Sequence, residues 1–492
     1  MADRLRPQDV AFLSGESSTT PMHVGTLEIF QSPAEGFDYE RLVGLIADRI
    51  AYVPRYRQRV RKVPGRLANP VWLDDEDFDL TFHVRRSALP RPGSMDQLRA
   101  LVARIMSRRL DRTRPLWETY LVEGLEHDRF AVLSKTHEVL VDGTSTVDLG
   151  QLVLDVTPEP PETPSVLWSP RPTPSSAGMV VRAVADSLRR PATAVEAASA
   201  GVADVRRTAT RVRGFVDDVS SAFGAPGIAS ASPLNAPLSE QRRFLTLATA
   251  LGDYRRVRDA HGGTINDVVL AAVTGGLRDW LLTRGEQVRS TTRVKALVPM
   301  SVLDDAGEPT SLGGQVQAQV IDLPVGESNP VVRLHQVSYA LQAHQETGLA
   351  VSASRLTGLA GFAPTTFHVL GARVAAGYPN RSHNLVITNV PGPQFPLYAA
   401  GARMLASYPV VPLAAGQALA VGVTSYDGNV FYGLNADRDA MPDVAVVADC
   451  VTQAVAELVD TTTTSSRARA PRGRKRVTRK TTKPSPAGTL KS

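Results

Sequence analysis

Hydrophobic and polar positions along the chain mark out two stretches of alternating strand and helix, one in each half. Val24-Gly25-Thr26-Leu27-Glu28-Ile29-Phe30 reads as a strand, entered from a loop that holds Pro21, Met22 and His23. From Ser94 to Leu110 the apolar residues Leu98, Leu101, Val102, Ile105 and Leu110 recur at helical spacing, and Ser94 with Gln97 makes a capping box at the start. Trp117 to Val122 and Phe130 to Lys135 are two strand-like runs separated by a turn at His127-Asp128.

In the second half the clearest helix spans Thr264 to Leu282. Thr264 and Asp267 cap it, and Val269, Ala272, Val273, Gly276, Leu277, Trp280 and Leu281 share one face. Strands are predicted at Val294 to Val298, Gln315 to Leu323 and Leu385 to Thr388. Ala418 to Ser425 and Asn429 to Leu434 form a hairpin pattern across Asp427-Gly428. A last helix opens at Pro442 and buries Val444, Val447, Val451, Val455 and Leu458. Alternating strands and helices in both halves predict an α/β class.

Between the halves, Thr157 to Ser176 is too rich in Pro, Ser and Thr to continue either kind of element. An Ala/Val/Arg-rich helical stretch follows, from about Met179 to Phe223. The expected organisation is an N-terminal lobe over residues 1–156, a linker and helical connector over 157–236, a C-terminal lobe over 237–460 and a tail over 461–492. At 492 residues, two cores are the natural arrangement.

Charge sharpens this division. The chain carries a net +6, yet ten Lys and Arg and no acid lie between Arg467 and Ser492. Without those ten, 45 basic residues face 49 acidic ones, so the body is near −4 and the basicity belongs to a tail predicted to be disordered. Such a tail is either solvated surplus charge or a contact for anionic lipid headgroups or nucleic acid, with no specific nucleic-acid recognition expected. The single cysteine, Cys450, excludes an internal disulfide framework or a multi-thiolate zinc site and reads as a core residue. Neither a secretory leader nor a spanning helix is legible, which points to the cytoplasm with peripheral membrane or lipid-droplet contact open.

The stretch richest in reactive groups is Lys135-Thr136-His137-Glu138-Val139-Leu140-Val141-Asp142-Gly143. A strand should end near Thr136 and a helix begin at Ser145, so His137, Glu138 and Asp142 fall at a strand-to-helix junction, where α/β sheets present chemistry. A hydroxyl acceptor needs a base within hydrogen-bond reach, and an imidazole or a carboxylate can serve. No nucleophile elbow, Walker loop or Rossmann glycine fingerprint is present, and the nine histidines show no metal-ligand spacing.

His137-Glu138-Val139-Leu140-Val141-Asp142-Gly143 resembles the HHxxxDG motif of CoA-dependent acyltransferases and peptide-synthetase condensation domains. Further landmarks narrow the resemblance to the bacterial wax ester synthase/diacylglycerol acyltransferase family: Pro21-Met22-His23-Val24-Gly25, Pro115-Leu116-Trp117, Asn266-Asp267 and Asn389-Val390-Pro391-Gly392-Pro393, in family order. The resemblance implies two chloramphenicol-acetyltransferase-like lobes with a channel at their interface. It implies acyl-CoA as substrate with no cofactor, and direct transfer to diacylglycerol (giving triacylglycerol) or to a long-chain alcohol (giving a wax ester). Asp142 and Gly143 would then set loop geometry, and Pro115, Leu116, Trp117, Asn266, Asp267 and Asn389 would line the channel or join the lobes.

Two departures stand out. The family's second histidine is the general base, and here that position is Glu138; the family's Gly-Asn pair appears as Gly313-Gly314. Three readings follow for the site. Glu138 acts as a carboxylate base with a usefully raised pKa; His137 takes over the base role; or the chain is a catalytically impaired lipid- or acyl-CoA-binding homologue. A condensation enzyme fed by a carrier protein is a further alternative, disfavoured by the Pro115-to-Trp117 and Asn389-to-Pro393 segments.

Overall fold

The computed structural model describes residues 3–66, 68–140, 153–159, 168–181, 232–301, 316–345 and 382–468. Along the first half lie α1 (Pro7–Gly15), β1 (His23–Gln31), α2 (Tyr39–Arg49), β2 (Gln58–Arg61), β3 (Val71–Asp74), α3 (Leu80–His83) and β4 (Val84–Ala88). They are followed by α4 (Met95–Met106), β5 (Trp117–Leu125) and β6 (Arg129–His137). The second half begins with β7 (Arg242–Ala250), α5 (Leu251–His261), α6 (Ile265–Thr283), β8 (Val294–Ser301), β9 (Val316–Leu323) and α7 (Pro330–Gln345). It ends with β10 (Leu385–Pro391), β11 (Tyr398–Ala399), β12 (Ala402–Val410), β13 (Leu419–Tyr426), β14 (Asn429–Asp437) and α8 (Val444–Ala468). The class is α/β, as the alternation of patterns predicts.

Local chemistry places the ends of these elements. Ser94 and Gln97 bond reciprocally at the start of α4, and Thr264 and Asp267 do the same for α6. The β5–β6 turn puts His127 and Asp128 at φ 64° and 56°, and the β13–β14 turn puts Asp427 and Gly428 at 41° and 80°. Successive left-handed residues match the twist of the strands they join.

Among the described residues two six-stranded sheets result, ordered β11-β12-β1-β6-β5-β4 and β7-β14-β13-β10-β8-β9, beside a two-stranded pairing of β2 with β3. The first is not made from the first half alone. β12 pairs antiparallel with β1, from Gly25 opposite Val410 to Phe30 opposite Met404, so a strand from the second half completes the first sheet. On one face α4 covers the first sheet, while α5 to α8 share a core with the second. Cys450 is part of that second core. Where the sheets approach each other, Val24 packs with Leu297, Val386, Val411, Leu413 and Ala420.

Part of the Pro-rich linker is docked on the first lobe: Arg171 bonds Asp74, and Trp168 lies under the Arg57 guanidinium. Helix α8 continues to Ala468, beyond the boundary expected at 460. Thr461, Thr462 and Thr463 each return a hydroxyl hydrogen bond to the carbonyl three residues back, and His261 bonds the Thr461 hydroxyl at 2.7 Å. Among the described residues no helix is long and apolar enough to cross a membrane.

Candidate active site

β6 runs one residue further than its pattern suggests, so His137 is its last residue and not the first of the loop. The cause is backbone pairing. His137 N–H donates to the Leu116 carbonyl at 2.9 Å, and Glu138 N–H donates to the Met22 carbonyl at 3.1 Å. Three segments far apart in sequence therefore meet at one end of the first sheet: Met22-His23, Leu116-Trp117 and His137-Glu138. His23 is the register partner of His137, and Trp117 that of Thr136.

Both His137 and Glu138 are buried, at 0% and 1% exposure. The Val139 N–H donates to His137 Nδ1 at 3.1 Å, which puts the proton of the neutral ring on Nε2. That nitrogen faces Glu16 Oε2 at 3.9 Å, and Glu16 is held in turn by Arg112 Nε at 2.9 Å. Glu16 carries no motif and is placed here only by the turn that follows α1, so nothing in its local sequence marks it.

His23 uses Nε2 to donate to the Met106 carbonyl at 2.8 Å. Burial, reinforced by the Lys135 charge, holds its pKa well below the usual histidine value, so the ring is neutral. Lys135 points to the same face two residues before His137. Its Nζ donates to the Ile105 carbonyl at 3.1 Å, and burial pushes its pKa down to about 8.

Trp117 is fully buried, stacked on His83 at 4.7 Å, and donates Nε1–H to the Tyr56 carbonyl at 2.7 Å. Leu116 is buried, and the Pro115 carbonyl accepts from Trp117 N–H. This segment forms the wall against which the end of β6 is fixed. The other expected site residues sit within the second lobe. Asn389 Nδ2 donates to Asn266 Oδ1 at 2.9 Å, tying β10 to the start of α6. Asp267 caps that helix and accepts from Ser338 Oγ at 2.9 Å. Asp142 and Gly143, and the helix expected from Ser145, lie outside the described residues.

Two sheet-and-helix lobes, the first closed by a strand from the second, with a His-Glu pair buried at the sheet end, define a chloramphenicol-acetyltransferase-like protein. The first condensation domain of the CDA synthetase shares this fold at a TM-score of 0.51 and 14% identity, over 94% of this chain and 97% of that one. The chain belongs to the wax ester synthase/diacylglycerol acyltransferase family: the catalytic domain of that family matches residues 5–269 and its C-terminal domain residues 312–459. The wax ester synthase/diacylglycerol acyltransferase from Marinobacter aquaeolei VT8 is similar at a TM-score of 0.67 and 28% identity, over 94% of this chain and 100% of that one. A probable diacylglycerol O-acyltransferase of Mycobacterium tuberculosis, tgs1, is 33% identical over 93% of this chain and 96% of its own length. A second from that organism, tgs3, is 43% identical over 52% of this chain and 96% of its own.

Proposed function

We propose that the protein moves a long-chain fatty acyl group from acyl-CoA to the hydroxyl of diacylglycerol or of a long-chain alcohol, with Glu138 as the general base. The observation that carries this reading is the convergence of Met22-His23, Leu116-Trp117 and His137-Glu138 at one sheet end. Membership of the family supports the acyl-CoA and the lipid acceptor. Glu138 stands where the family's motif places its second histidine. His137 has Nδ1 occupied by Val139 N–H, so its geometry suits a positioning role better than proton abstraction.

In the reaction, Glu138 takes the acceptor's hydroxyl proton as the oxygen attacks the thioester carbonyl. The tetrahedral intermediate collapses by breaking the C–S bond, and the proton passes from Glu138 to the departing CoA thiolate. An ester and free CoA result, with no acyl-enzyme. The same position favours one alternative: with a carboxylate where the family has an imidazole, the protein binds acyl-CoA and lipid without turning them over. In either case the protein works at the surface of a membrane or lipid droplet, where its substrates partition.

Ester formation from radiolabelled palmitoyl-CoA with dioleoylglycerol or hexadecanol separates the readings. Turnover by the wild type, abolished in Glu138→Gln and reduced in His137→Ala, is the expected result. A silent wild type with turnover in Glu138→His establishes the binding protein instead.

A further inference from the structure

At the other end of the first sheet a groove of about 420 Å³ opens between α4, the start of β6, β12 and the β7–β14 edge. Arg129 begins β6 and His137 ends it, so the groove lies the length of a nine-residue strand from the candidate active site, roughly 27 Å. Two guanidinium groups and, among the described residues, no carboxylate line it. Arg129 Nε donates to the Glu126 carbonyl at 2.9 Å, and among the described residues no acid pairs with its charge. Arg99 reaches across from α4, donating Nε–H and Nη2–H to the hydroxyl and carbonyl of Thr246 at 2.8 and 3.0 Å; its Nη1 meets the exposed Asp96.

Between them stands Tyr408, 7% exposed, whose hydroxyl has no hydrogen-bond partner among the described residues. Burial raises its pKa, and the Arg99 and Arg129 charges pull against that rise, so both cations act on the phenol. Phe431 meets the Tyr408 ring edge-on at 5.2 Å, and with Leu247 makes an apolar wall. The Tyr408 ring is buried while its hydroxyl is open to the groove, and two guanidinium groups, one of them with no acid beside it among the described residues, favour an anion there.

We propose that this groove binds a phosphate group carried on an apolar body, with Arg129 and Arg99 as its charge partners and Tyr408 donating to a phosphate oxygen. A phosphate presents several strong acceptors and up to two negative charges, which suits two guanidinium groups and a hydroxyl better than a single carboxylate does. The apolar wall takes the carbons beside the phosphate, and the volume falls within the range of small-molecule sites. An anionic phospholipid in a bilayer and a soluble phosphorylated molecule share this chemistry. The site is independent of the acyl-transfer reading, because its occupancy is measured without turnover.

Calorimetric titration of the full chain with dihexanoyl phosphatidate (soluble) and with inorganic phosphate tests the site. The phosphatidate should bind at least about tenfold more tightly than phosphate, and Arg129→Gln and Tyr408→Phe should each weaken it about fivefold or more, with the melting temperature held by the Tyr408→Phe variant. Sedimentation with phosphatidylcholine vesicles, with and without long-chain phosphatidate, then identifies the source. Retention that requires phosphatidate and is lost in Arg129→Gln points to the bilayer lipid; binding of the soluble probe without retention points to a soluble ligand. If neither probe binds, or if both variants bind as the wild type does, the proposal is overturned.

Discussion

Lys135 and His23, on the adjacent strands β6 and β1, close the C-terminus of α4 together: Lys135 Nζ donates to the Ile105 carbonyl and His23 Nε2 to that of Met106. The last carbonyls of a helix lack internal partners, and their partial negative charge favours cationic or donor side chains. The sequence element that carries His137 thus also fixes α4 against the sheet. The candidate site and the fold share one strand end.

Lys135 makes this arrangement pH-dependent in a direction opposite to that of most ion pairs. Burial brings its pKa to about 8 from 10.5; the nearby Glu118 raises it and Arg85 and Arg108 lower it. The unfolded chain therefore binds more protons between pH 8 and 10.5, so this residue's contribution to stability rises with pH across that window. Lys135→Met loses the donor to the helix end and should be less stable by roughly 1–3 kcal/mol at pH 7. Urea unfolding at pH 7 and pH 10 should show that gap widening with pH; a constant gap would mean the ammonium carries no burial penalty.

His383 acts at the acid end. It is buried just before β10, with Ser382 Oγ 2.9 Å from its Nδ1, and burial lowers its pKa to about 4 from 6.5. The fold keeps the ring neutral while the unfolded chain takes up a proton, so stability is lost as pH falls from 6.5 towards 4. The full effect is on the order of 3 kcal/mol. Replacing it as His383→Gln should flatten the acid limb of a melting-temperature profile by several degrees, and an unchanged limb would place the titration elsewhere, His23 being the next candidate.

Much of the frame was legible because its signals are local. Ser94 with Gln97 and Thr264 with Asp267 are reciprocal caps three residues apart, and Asp427-Gly428 carries its turn geometry in its own two residues. The His137-Glu138 candidate site stands out in the sequence as a motif. Its supporting contacts do not, because Glu16 reaches His137 only through the fold. Nor does Ala402–Val410 announce which sheet it joins: its pattern fits any half-buried strand, and only the pairing of Val410 with Gly25 decides.

That strand exchange depends on missing side chains. Gly433 on β14 passes directly under the Pro409 carbonyl of β12, where any Cβ would collide with backbone; one at Gly422 would come within 2.7 Å of Pro409 Cβ. A backbone cannot yield as a side-chain tip can, so Gly433→Ala should force β12 away from the second sheet. A loss of roughly 2–4 kcal/mol in urea unfolding is expected, with Gly428→Ala, where nothing lies within 4 Å but φ is positive, costing only about 1 kcal/mol. Equal losses would mean that the contact at Gly433 costs no more than the backbone strain at Gly428.

The lobes are also joined by a buried charge. Arg242, at the start of β7, pairs with Asp437 at 3.3 Å, donates to the Thr19 carbonyl of the first lobe, and takes its backbone N–H to Ser107 Oγ at 3.1 Å. Asp437 is fully buried and also accepts from Ser239 at 2.7 Å. Burial lowers the Arg242 pKa and the Asp437 charge raises it, so the pair is held by a balance that removal of either partner upsets. Arg242→Met leaves the carboxylate buried without its cation and should cost about 3–5 kcal/mol. Asp437→Asn keeps most of the neutral hydrogen bonds and should cost less, yet it strands the guanidinium against Thr19. The double variant should therefore be more stable than the sum of the two losses predicts. A strictly additive double-mutant cycle would mean that Arg242 joins the lobes through Thr19 alone and gains nothing from Asp437.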